Sequence, residues 1–404
     1  MTPAVHDLDL PELELLDLER AESVARVRDA ATRHWLARNP LGYTVLRYRD
    51  AVAILRDRRF HSAISLLPQI AGVPDAEITG RDQPSILAME GPEHDRLRRL
   101  VAPAFSARAA DRLRPFMREV LDELLDPVLP QGRCDLVTDL CEPYPIPVIC
   151  ELLGAPKQDW KLFSGWATDI FRVFNNNLAE DLPVIRAAFA ELEAYVLELI
   201  ARRRREPGDD LLSALIAAEE AGDRLTTDEL VMMVEAVLMA GTDTTRNQLA
   251  CSVALLAEHP GQWEELARRP ELASRAVEET MRVLGAVAGT IRVAAEDITY
   301  RDVTFPAGTL VMVHLAGANR DPDVWPDPDR FDITREPSTS PQLTFGAGVH
   351  FCLGANLARA ELAEALALLP RRLGPITLDG PVTWKPPNVG IWGPAHLPLR
   401  FTAR

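Results

Sequence analysis

One cysteine in the chain lies in a setting that could hold a metal ion. Cys352 falls within FGAGVHFCLG (345–354), just before an Ala/Leu-rich helical run that is expected to end before Pro370. Glycine permits positive φ, so the three glycines of this segment could turn amide N–H groups toward the sulfur. The start of the helix would add the positive end of its dipole. A cysteine without such neighbours would be interpreted as a small buried apolar residue. This segment instead predicts a metal-bound thiolate.

A second polar cluster interrupts a long apolar helical pattern in the middle of the chain. A capping box of Thr226 and Glu229 precedes the pattern, and Pro260 terminates it. Positions 242–248 carry hydroxyl, carboxylate, guanidinium and amide groups. Such groups inside a buried helix cost stability unless they have hydrogen-bond partners. Their concentration here therefore indicates that the helix passes through a functional site at this point. Alternatively, the segment is a Thr-rich stretch that only faces neighbouring helices.

Together the two segments resemble the cytochrome P450 superfamily. The 345–354 segment fits the haem-binding pattern F-G-x-G-x-H-x-C-x-G, and AGTDT (240–244) is similar to the A-G-x-D/E-T motif of the helix over the haem. The resemblance implies that Cys352 is the axial ligand of haem b, iron protoporphyrin IX. Thiolate ligation then favours cleavage of the O–O bond.

The resemblance also assigns cofactor contacts and catalytic roles within the two motifs. Gly241 would open a groove in a locally distorted helix, Thr244 would hydrogen-bond oxygen or a nearby water, and Asp243 would relay protons from solvent. The remaining motif positions expected beside the cofactor are Ala240, Phe345, Gly346, His350 and Gly354.

Cationic residues outside the loop are expected to bind the haem propionates. His94 and Arg98 resemble the family's H-x-x-x-R helix, and Arg292 occupies a strand position where the family usually places another propionate-binding arginine. His350 would reach a propionate from the cysteine loop. Two carboxylates facing a protein interior need cationic partners, for which arginine is well suited. Taken singly, Arg292 could equally be an ordinary surface charge.

One further motif is structural rather than catalytic. Glu279 and Arg282 match the family's E-x-x-R motif, with both charges on one helix face. The resemblance implies a three-member ion network with Arg330. Such a network tolerates burial only while its members satisfy one another.

Residues 1–404 are expected to form one haem-enclosing domain of the mainly α P450 fold with a small β region. Helical patterns fill most of residues 90–290. Short β-rich runs lie near residues 44–48, 291–313, 376–378 and 397–402. Length alone would suggest two or three domains, but no linker, repeat or low-complexity tract divides the chain. The haem is expected between the 226–258 helix and the 345–354 loop.

The net charge of −16 argues against nucleic acid or an anionic membrane surface as the main partner. The N-terminus lacks the basic-then-apolar pattern of a signal peptide, and no apolar run reaches about 18 residues. A soluble, cytoplasmic protein is therefore expected. A monomer is also expected. The basic run 202–205 is interpreted as a solvated helix end.

The other four cysteines lack zinc or disulfide spacing and are interpreted as core or surface thiols: Cys134, Cys141, Cys150 and Cys251.

By resemblance, the reaction inserts one atom of O2 into a C–H bond of an apolar small molecule. The chain carries no flavin or iron–sulfur segment, so a ferredoxin with its ferredoxin reductase is the expected electron donor. The expected docking patch is basic and comprises Arg99, Arg108, Arg112 and Arg114.

Substrate contacts are expected from the variable segments 62–85 and 171–182. The suggested pocket walls, each equally compatible with plain core, are Leu66, Ile86, Leu87, Phe171, Phe174, Val287 and Ile291. A steroid, terpenoid, fatty acid or polyketide would fit, and no residue distinguishes among them. Hydroxylation, demethylation, epoxidation and ring coupling all stay open.

Four other classes of protein are weighed against a monooxygenase. A peroxygenase or a haem-dependent isomerase would share Cys352 but needs no acid–alcohol relay, so Asp243 and Thr244 weigh against both. A haem sensor or carrier leaves the polar interruption of the helix unexplained. An enzyme without haem, with Cys352 as nucleophile and His350 as base, gives the glycine pattern and the cationic set no purpose.

Overall fold

The computed structural model of the chain describes residues 2–15, 18–66, 69, 72–73, 78, 84–174, 178–221, 225–386 and 390–404. Most of these residues lie in helices, numbered in chain order. The α-helices are α1 (Arg20–Arg33), α2 (Tyr48–Arg56), α3 (Gly91–Val101), α4 (Ala107–Leu125), α5 (Pro145–Leu153), α6 (Trp160–Ile170), α7 (Leu178–Arg205), α8 (Leu211–Glu220), α9 (Thr227–Ala257), α10 (Pro260–Arg268), α11 (Ala273–Leu284), α12 (Leu315–Ala318) and α13 (Ala355–Leu373).

Short strands make up a small β region. They are β1 (Leu36–Asn39), β2 (Gly42–Val45), β3 (Phe60–Ser62), β4 (Arg133–Asp135), β5 (Thr290–Ala294), β6 (Ile298–Tyr300), β7 (Val303–Phe305), β8 (Leu310–Val313), β9 (Ile376–Leu378), β10 (Thr383–Trp384), β11 (Pro394–His396) and β12 (Pro398–Phe401). The largest sheet has the order β1-β2-β8-β5-β3, in which β2 and β8 run parallel. The predicted mainly α fold with a small β region is confirmed.

Helix α9 crosses the main apolar core, and its capping box forms as predicted. The hydroxyl of Thr226 accepts the Glu229 N–H at 3.2 Å, and the Glu229 carboxylate accepts the Thr226 N–H at 2.8 Å. These bonds satisfy backbone donors that the first turn cannot pair internally. Most side chains of α9 are buried, and the helix packs against α5, α6 and α11. This packing therefore fixes the position of the polar centre of α9 within the core.

Helix α13 follows the cysteine loop and packs against α4 and α11. The prediction that this helix ends before Pro370 is wrong, because the helix continues to Leu373. Proline inside a helix removes one backbone hydrogen bond. Here Leu366, Leu369 and Leu373 extend the buried apolar face through the proline, and this packing compensates for the missing bond. None of the helices in the described ranges has the length and apolar character needed to cross a bilayer.

Glu279 on α11 is the centre of a buried ion network, as expected, but the second of its two cationic partners is different. Its carboxylate accepts two hydrogen bonds of 2.8 Å from Arg282 and one of 3.2 Å from Arg335. The prediction of Arg330 as that partner is wrong, because its side chain is 66% exposed and its guanidinium pairs with Asp332. Arg330 takes part only through its carbonyl, which accepts from Arg282 and Arg335.

Replacing Glu279 with alanine is expected to cost about 3–5 kcal/mol of unfolding free energy, because Arg282 would stay buried without its counter-charge. Arg335→Ala should destabilise the protein clearly, and Arg330→Ala by less than about 1 kcal/mol, since it removes only an exposed pair. Urea unfolding of the three variants, with the yield of haem-loaded protein, measures this order. Equal effects of Arg330→Ala and Arg335→Ala would contradict the assignment.

Candidate functional site

The cysteine loop is held in shape by its glycines and by one backbone bond. Gly346 and Gly348 have φ of 70° and 74°, a region that side-chain-bearing residues rarely adopt. A Cβ on Gly348 would also collide with the carbonyl oxygen of Leu55 in α2. The Cys352 N–H donates to the Phe345 carbonyl at 2.9 Å and closes the loop. The conformation therefore requires glycine at both positions and fixes the cysteine relative to α2.

The surroundings of the Cys352 sulfur oppose and favour a thiolate at the same time. Cys352 is exposed, but the protein packed around its sulfur raises the pKa of the thiol by removing water from the anion. The backbone N–H of Gly354 and the guanidinium groups of Arg98 and Arg359 act in the opposite direction. A thiol must lose its proton to bind a metal ion, and these three groups stabilise the anion that results.

The middle of α9 presents an accessible face on an otherwise buried helix. Ala240 is exposed, and Ala236, Gly241 and Thr244 are half-buried. Positions 236, 240 and 244 follow one another at spacings of four, so they lie along one side of the helix. This side is where a ligand can approach the AGTDT motif.

Helix α9 is a continuous α-helix through this motif, and the expected local distortion is not present in Thr227–Ala257. Gly241 has another use, because a Cβ there would come within 3.0 Å of the Ile149 side chain. The glycine therefore allows α9 to pack closely on α5. The Thr244 hydroxyl donates to the Ala240 carbonyl at 2.9 Å, which satisfies it within the helix.

Asp243 is buried and surrounded by cations. Its carboxylate pairs with Arg246 one turn further along α9 and lies 4.0 Å from Lys385 Nζ. Burial lowers the pKa of Lys385, although the nearby Asp243 carboxylate raises it in part. Arg246 also contacts Glu142 at 3.9 Å, and Glu142 is 38% exposed. A line of charged groups therefore connects Asp243 to the protein surface.

Three of the four predicted propionate partners lie next to the cysteine loop. The His94 and His350 ring centroids are 4.6 Å apart, and Arg98 donates to the Phe351 carbonyl at 2.6 Å. His94 is 1% exposed, and its Nε2 has no hydrogen-bond partner within the described part of the chain. Burial, together with the charges of His350 and Arg98, lowers the pKa of His94. The His94 ring therefore offers a buried polar atom to a group that the protein itself does not supply.

The fourth predicted partner, Arg292, lies on β5 and is 4% exposed, which lowers its pKa. Its guanidinium donates to the Thr290 hydroxyl and to the Ile291 carbonyl, and no carboxylate among the described residues pairs with it directly. A nearby acid, Glu90, does act on Arg292 electrostatically. The same Glu90 bonds His350 at 2.8 Å, so Arg292 faces the same region as the other three residues.

These residues fit a haem. Among the residues that the structure describes, no group of three or more His, Cys, Asp or Glu side chains could hold a metal ion. A metal ion on Cys352 would therefore have to bring its other ligands with it, as porphyrin iron does. The orphaned Nε2 of His94 and the buried guanidinium of Arg292 suit carboxylates such as the two propionates of haem b.

The suggested pocket walls fall into different environments. Ile86 is buried in the main core and Ile291 in the sheet, whereas Leu87 is 47% exposed. Leu66, Phe171, Phe174 and Val287 are half-buried. Parts of the two variable segments, residues 67–68, 70–71, 74–77, 79–83 and 175–177, lie outside the described residues. Phe174 packs closely against Gly390, which no pattern in the sequence indicated.

Reasoning from the sequence missed Glu90, Arg335 and Lys385. Each is distant in sequence from its partner, and none belongs to a motif, so only the folded chain brings these pairs together. The Arg246 contact to Asp243 was foreseeable in part, because positions three apart share a helix face.

Comparisons with known proteins agree on one family. A profile for cytochrome P450 matches residues 158–374. The chain is 38% identical over 399 residues to luteothin monooxygenase of Streptomyces thioluteus, covering 98% of this chain and 97% of that protein. It is 40% identical over 389 residues to mycinamicin IV hydroxylase/epoxidase of Micromonospora griseorubida, covering 95% and 94%. The crystal structure of CalO2 superposes with a TM-score of 0.85 at 36% identity, covering 93% and 95%.

Proposed function

The chain belongs to the cytochrome P450 superfamily of haem b monooxygenases, and from this premise we propose that it oxidises an apolar small molecule with electrons from a separate redox protein. The observation that carries the proposal is the combination of an exposed Cys352 with a buried Asp243 that a line of charged groups connects to the surface. A haem sensor or carrier would have no use for that second feature.

We propose a large, mostly apolar natural product as the substrate. The relatives include enzymes named for mycinamicin IV and for 6-deoxyerythronolide B. The half-buried Phe171 and Phe174, whose ring centroids are 5.8 Å apart, would supply apolar contact area. A fatty acid is the second candidate, because a structure with a TM-score of 0.86 and 36% identity holds myristic acid.

In the proposed arrangement the haem lies between α9 and the 345–354 loop. Bound to Cys352, it supplies the iron at which O2 is reduced and activated. The Gly354 N–H and the Arg98 and Arg359 guanidinium groups would offset part of the cost that burial imposes on the thiolate. Arg98 and Arg292 would supply positive charge to the propionates, and the rings of His94 and His350 would offer hydrogen-bond donors to them.

Proton delivery is assigned to α9. Arg246 contacts both the Asp243 carboxylate and the partly exposed Glu142, so the proposed proton path runs from the Glu142 side to Asp243. The Thr244 hydroxyl lies on the accessible face and can exchange its bond to the Ala240 carbonyl for one to the ligand side. The residue pair can then pass a proton toward O2 without admitting bulk water.

A ligand titration tests the substrate class. The purified haem protein is titrated with mycinamicin IV, 6-deoxyerythronolide B, vitamin D3 and myristic acid, and the Soret band is followed for the low-spin to high-spin shift. One of the first two compounds is expected to give the largest shift at the lowest concentration. A shift with myristic acid alone would favour a fatty acid hydroxylase. Absence of any haem spectrum in a well-folded sample would refute the proposed function itself.

The electron donor is proposed to be a ferredoxin that docks on the basic patch predicted above. Arg99, Arg108 and Arg112 are exposed, whereas Arg114 is half-buried and pairs with Asp111 and Glu364. The first three are therefore the charges that an acidic partner would meet, and Arg114 is already neutralised.

Replacing both Arg108 and Arg112 with alanine is expected to slow ferredoxin association roughly tenfold at low salt, because long-range attraction steers the encounter. The difference should shrink as ionic strength rises. Stopped-flow reduction of the haem protein at several salt concentrations measures both effects. Arg205→Ala, at the end of α7, removes an exposed charge elsewhere and should leave the rate unchanged. An unaltered association rate in the double variant would show that ferredoxin does not dock on this patch.

A further inference from the structure

Glu90 joins three separate parts of the fold at one carboxylate oxygen. Its Oε1 accepts the backbone N–H of Ser62 at 2.5 Å and lies 2.8 Å from His350 Nε2. Ser62 ends β3, His350 belongs to the cysteine loop, and Glu90 itself immediately precedes α3. Its side chain does not cap that helix, so the carboxylate is committed to contacts outside α3.

All four residues assigned to the propionates are adjacent to this junction. His350 bonds Glu90 directly, and His94 and Arg98 lie on the helix that starts at the next residue. Arg292 is the register partner of Ser62 in the β3–β5 pair. By accepting the Ser62 N–H, Glu90 Oε1 therefore also fixes the end of β3 that pairs with Arg292 on β5.

The electrostatic surroundings of Glu90 support an ionised carboxylate. Burial would raise its pKa, but the hydrogen bonds from His350 and from the Ser62 N–H outweigh burial, and the pKa of Glu90 is lowered. Arg292 and His94 respond to the same charge. Glu90 also lines a small cavity of about 90 Å³ with Arg58, His61, Gly91, His94, Asp95 and Val349.

We propose that Glu90 is a positioning residue for haem binding: its hydrogen bonds align the cysteine loop, α3 and the β3–β5 pair so that their cationic side chains converge on the propionates. The inference rests on the proposed haem site and adds a residue that contacts one of the propionate partners, His350, rather than the cofactor. Without the carboxylate, the Ser62 N–H and His350 would each lose a partner. Three elements would then be free to shift relative to one another.

Two effects of Glu90 can be separated by substitution. Glu90→Gln removes the negative charge but keeps a carbonyl oxygen that can accept the same bonds. Glu90→Met keeps the length of the side chain and removes both the charge and the acceptor. Glu93→Gln, an exposed position in the first turn of the same helix, serves as the matched control.

The first measurement is the rate of haem transfer from each ferric holoprotein to excess apomyoglobin, alongside thermal unfolding of the apoproteins. Glu90→Met is expected to lose haem at least tenfold faster than the unaltered protein, while Glu90→Gln stays within about threefold. Glu93→Gln should not change the rate. The apoprotein of Glu90→Gln is expected to unfold as the unaltered apoprotein does.

The second measurement is the midpoint potential of the haem iron. Both Glu90 variants should shift it in the positive direction, because a negative charge near the cofactor disfavours added electrons. Haem loss at the unaltered rate in Glu90→Met would overturn the proposal. Equally fast loss in Glu90→Gln and Glu90→Met would also overturn it, because charge alone would then account for the effect. A missing thiolate spectrum in the unaltered protein would instead count against the proposed function.

Discussion

Replacing Cys352 with serine is expected to abolish the Soret band that sulfur ligation gives to the reduced carbon monoxide complex. A serine hydroxyl stays protonated at neutral pH and donates far less electron density to iron than a thiolate does. Product formation should fall to background in the same sample. The measurement is the reduced carbon monoxide difference spectrum of protein with equal haem content, followed by turnover with any ligand that shifts the spin state.

Cys134→Ser is the matched control for this experiment. Burial raises the pKa of the Cys134 thiol to about 12, with smaller contributions in the same direction from Asp139 and Asp135, so this residue lacks the groups that favour a thiolate at Cys352. The control should keep the sulfur band at full height. A Cys352→Ser protein that retains the band, or loss of the band in Cys134→Ser, would contradict the assignment of the ligand.

Local features of this site could be predicted because they depend on residues close together in the sequence. The capping box joins Thr226 to Glu229, and the cysteine loop closes between Phe345 and Cys352. Glycine at positive φ and serine or threonine at helix starts follow from backbone geometry alone. Interactions of this range leave a pattern that can be read without the fold.

Contacts between distant elements could not be predicted in the same way. Arg335 and Arg330 both lie near Glu279 in the fold, and a difference in side-chain direction decides which guanidinium reaches the carboxylate. Lys385 comes from the segment after β10 and Glu90 from the residue before α3. The charge partner of each is far away in the sequence, so only tertiary packing brings the two together.

Gly241 illustrates how a motif can be recognised while the reason for one residue is misjudged. The helix stays regular at this position, and the missing side chain admits Ile149 of α5. Close helix packing and a widened groove both favour glycine, and the sequence carries no information that separates them. The neighbouring Thr244 hydroxyl is likewise satisfied within the helix, on the Ala240 carbonyl.

Asp243→Asn is expected to slow product formation by about 100-fold or more, because an amide cannot take up and release a proton. Ligand-induced spin-state shifts should persist, since Asp243 is buried and the accessible face of α9 is formed by other residues. Electrons that no longer yield product should leave as hydrogen peroxide. Paired assays of NAD(P)H consumed, peroxide released and product formed measure this partition, in buffered H2O and in D2O.

The structure supplies both the control and the way to exclude a loss of folding. Asp228→Asn, exposed in the first turn of the same helix, should leave rate and coupling unchanged. In Asp243→Asn the amide oxygen of the new side chain can still contact the Arg246 guanidinium, so unfolding by urea should show a much smaller cost than removal of the whole side chain. A well-folded Asp243→Asn enzyme with the original rate and peroxide fraction would show that protons reach O2 by another route. The search for that route would begin at Thr244, the polar side chain of the AGTDT motif that lies on the accessible face.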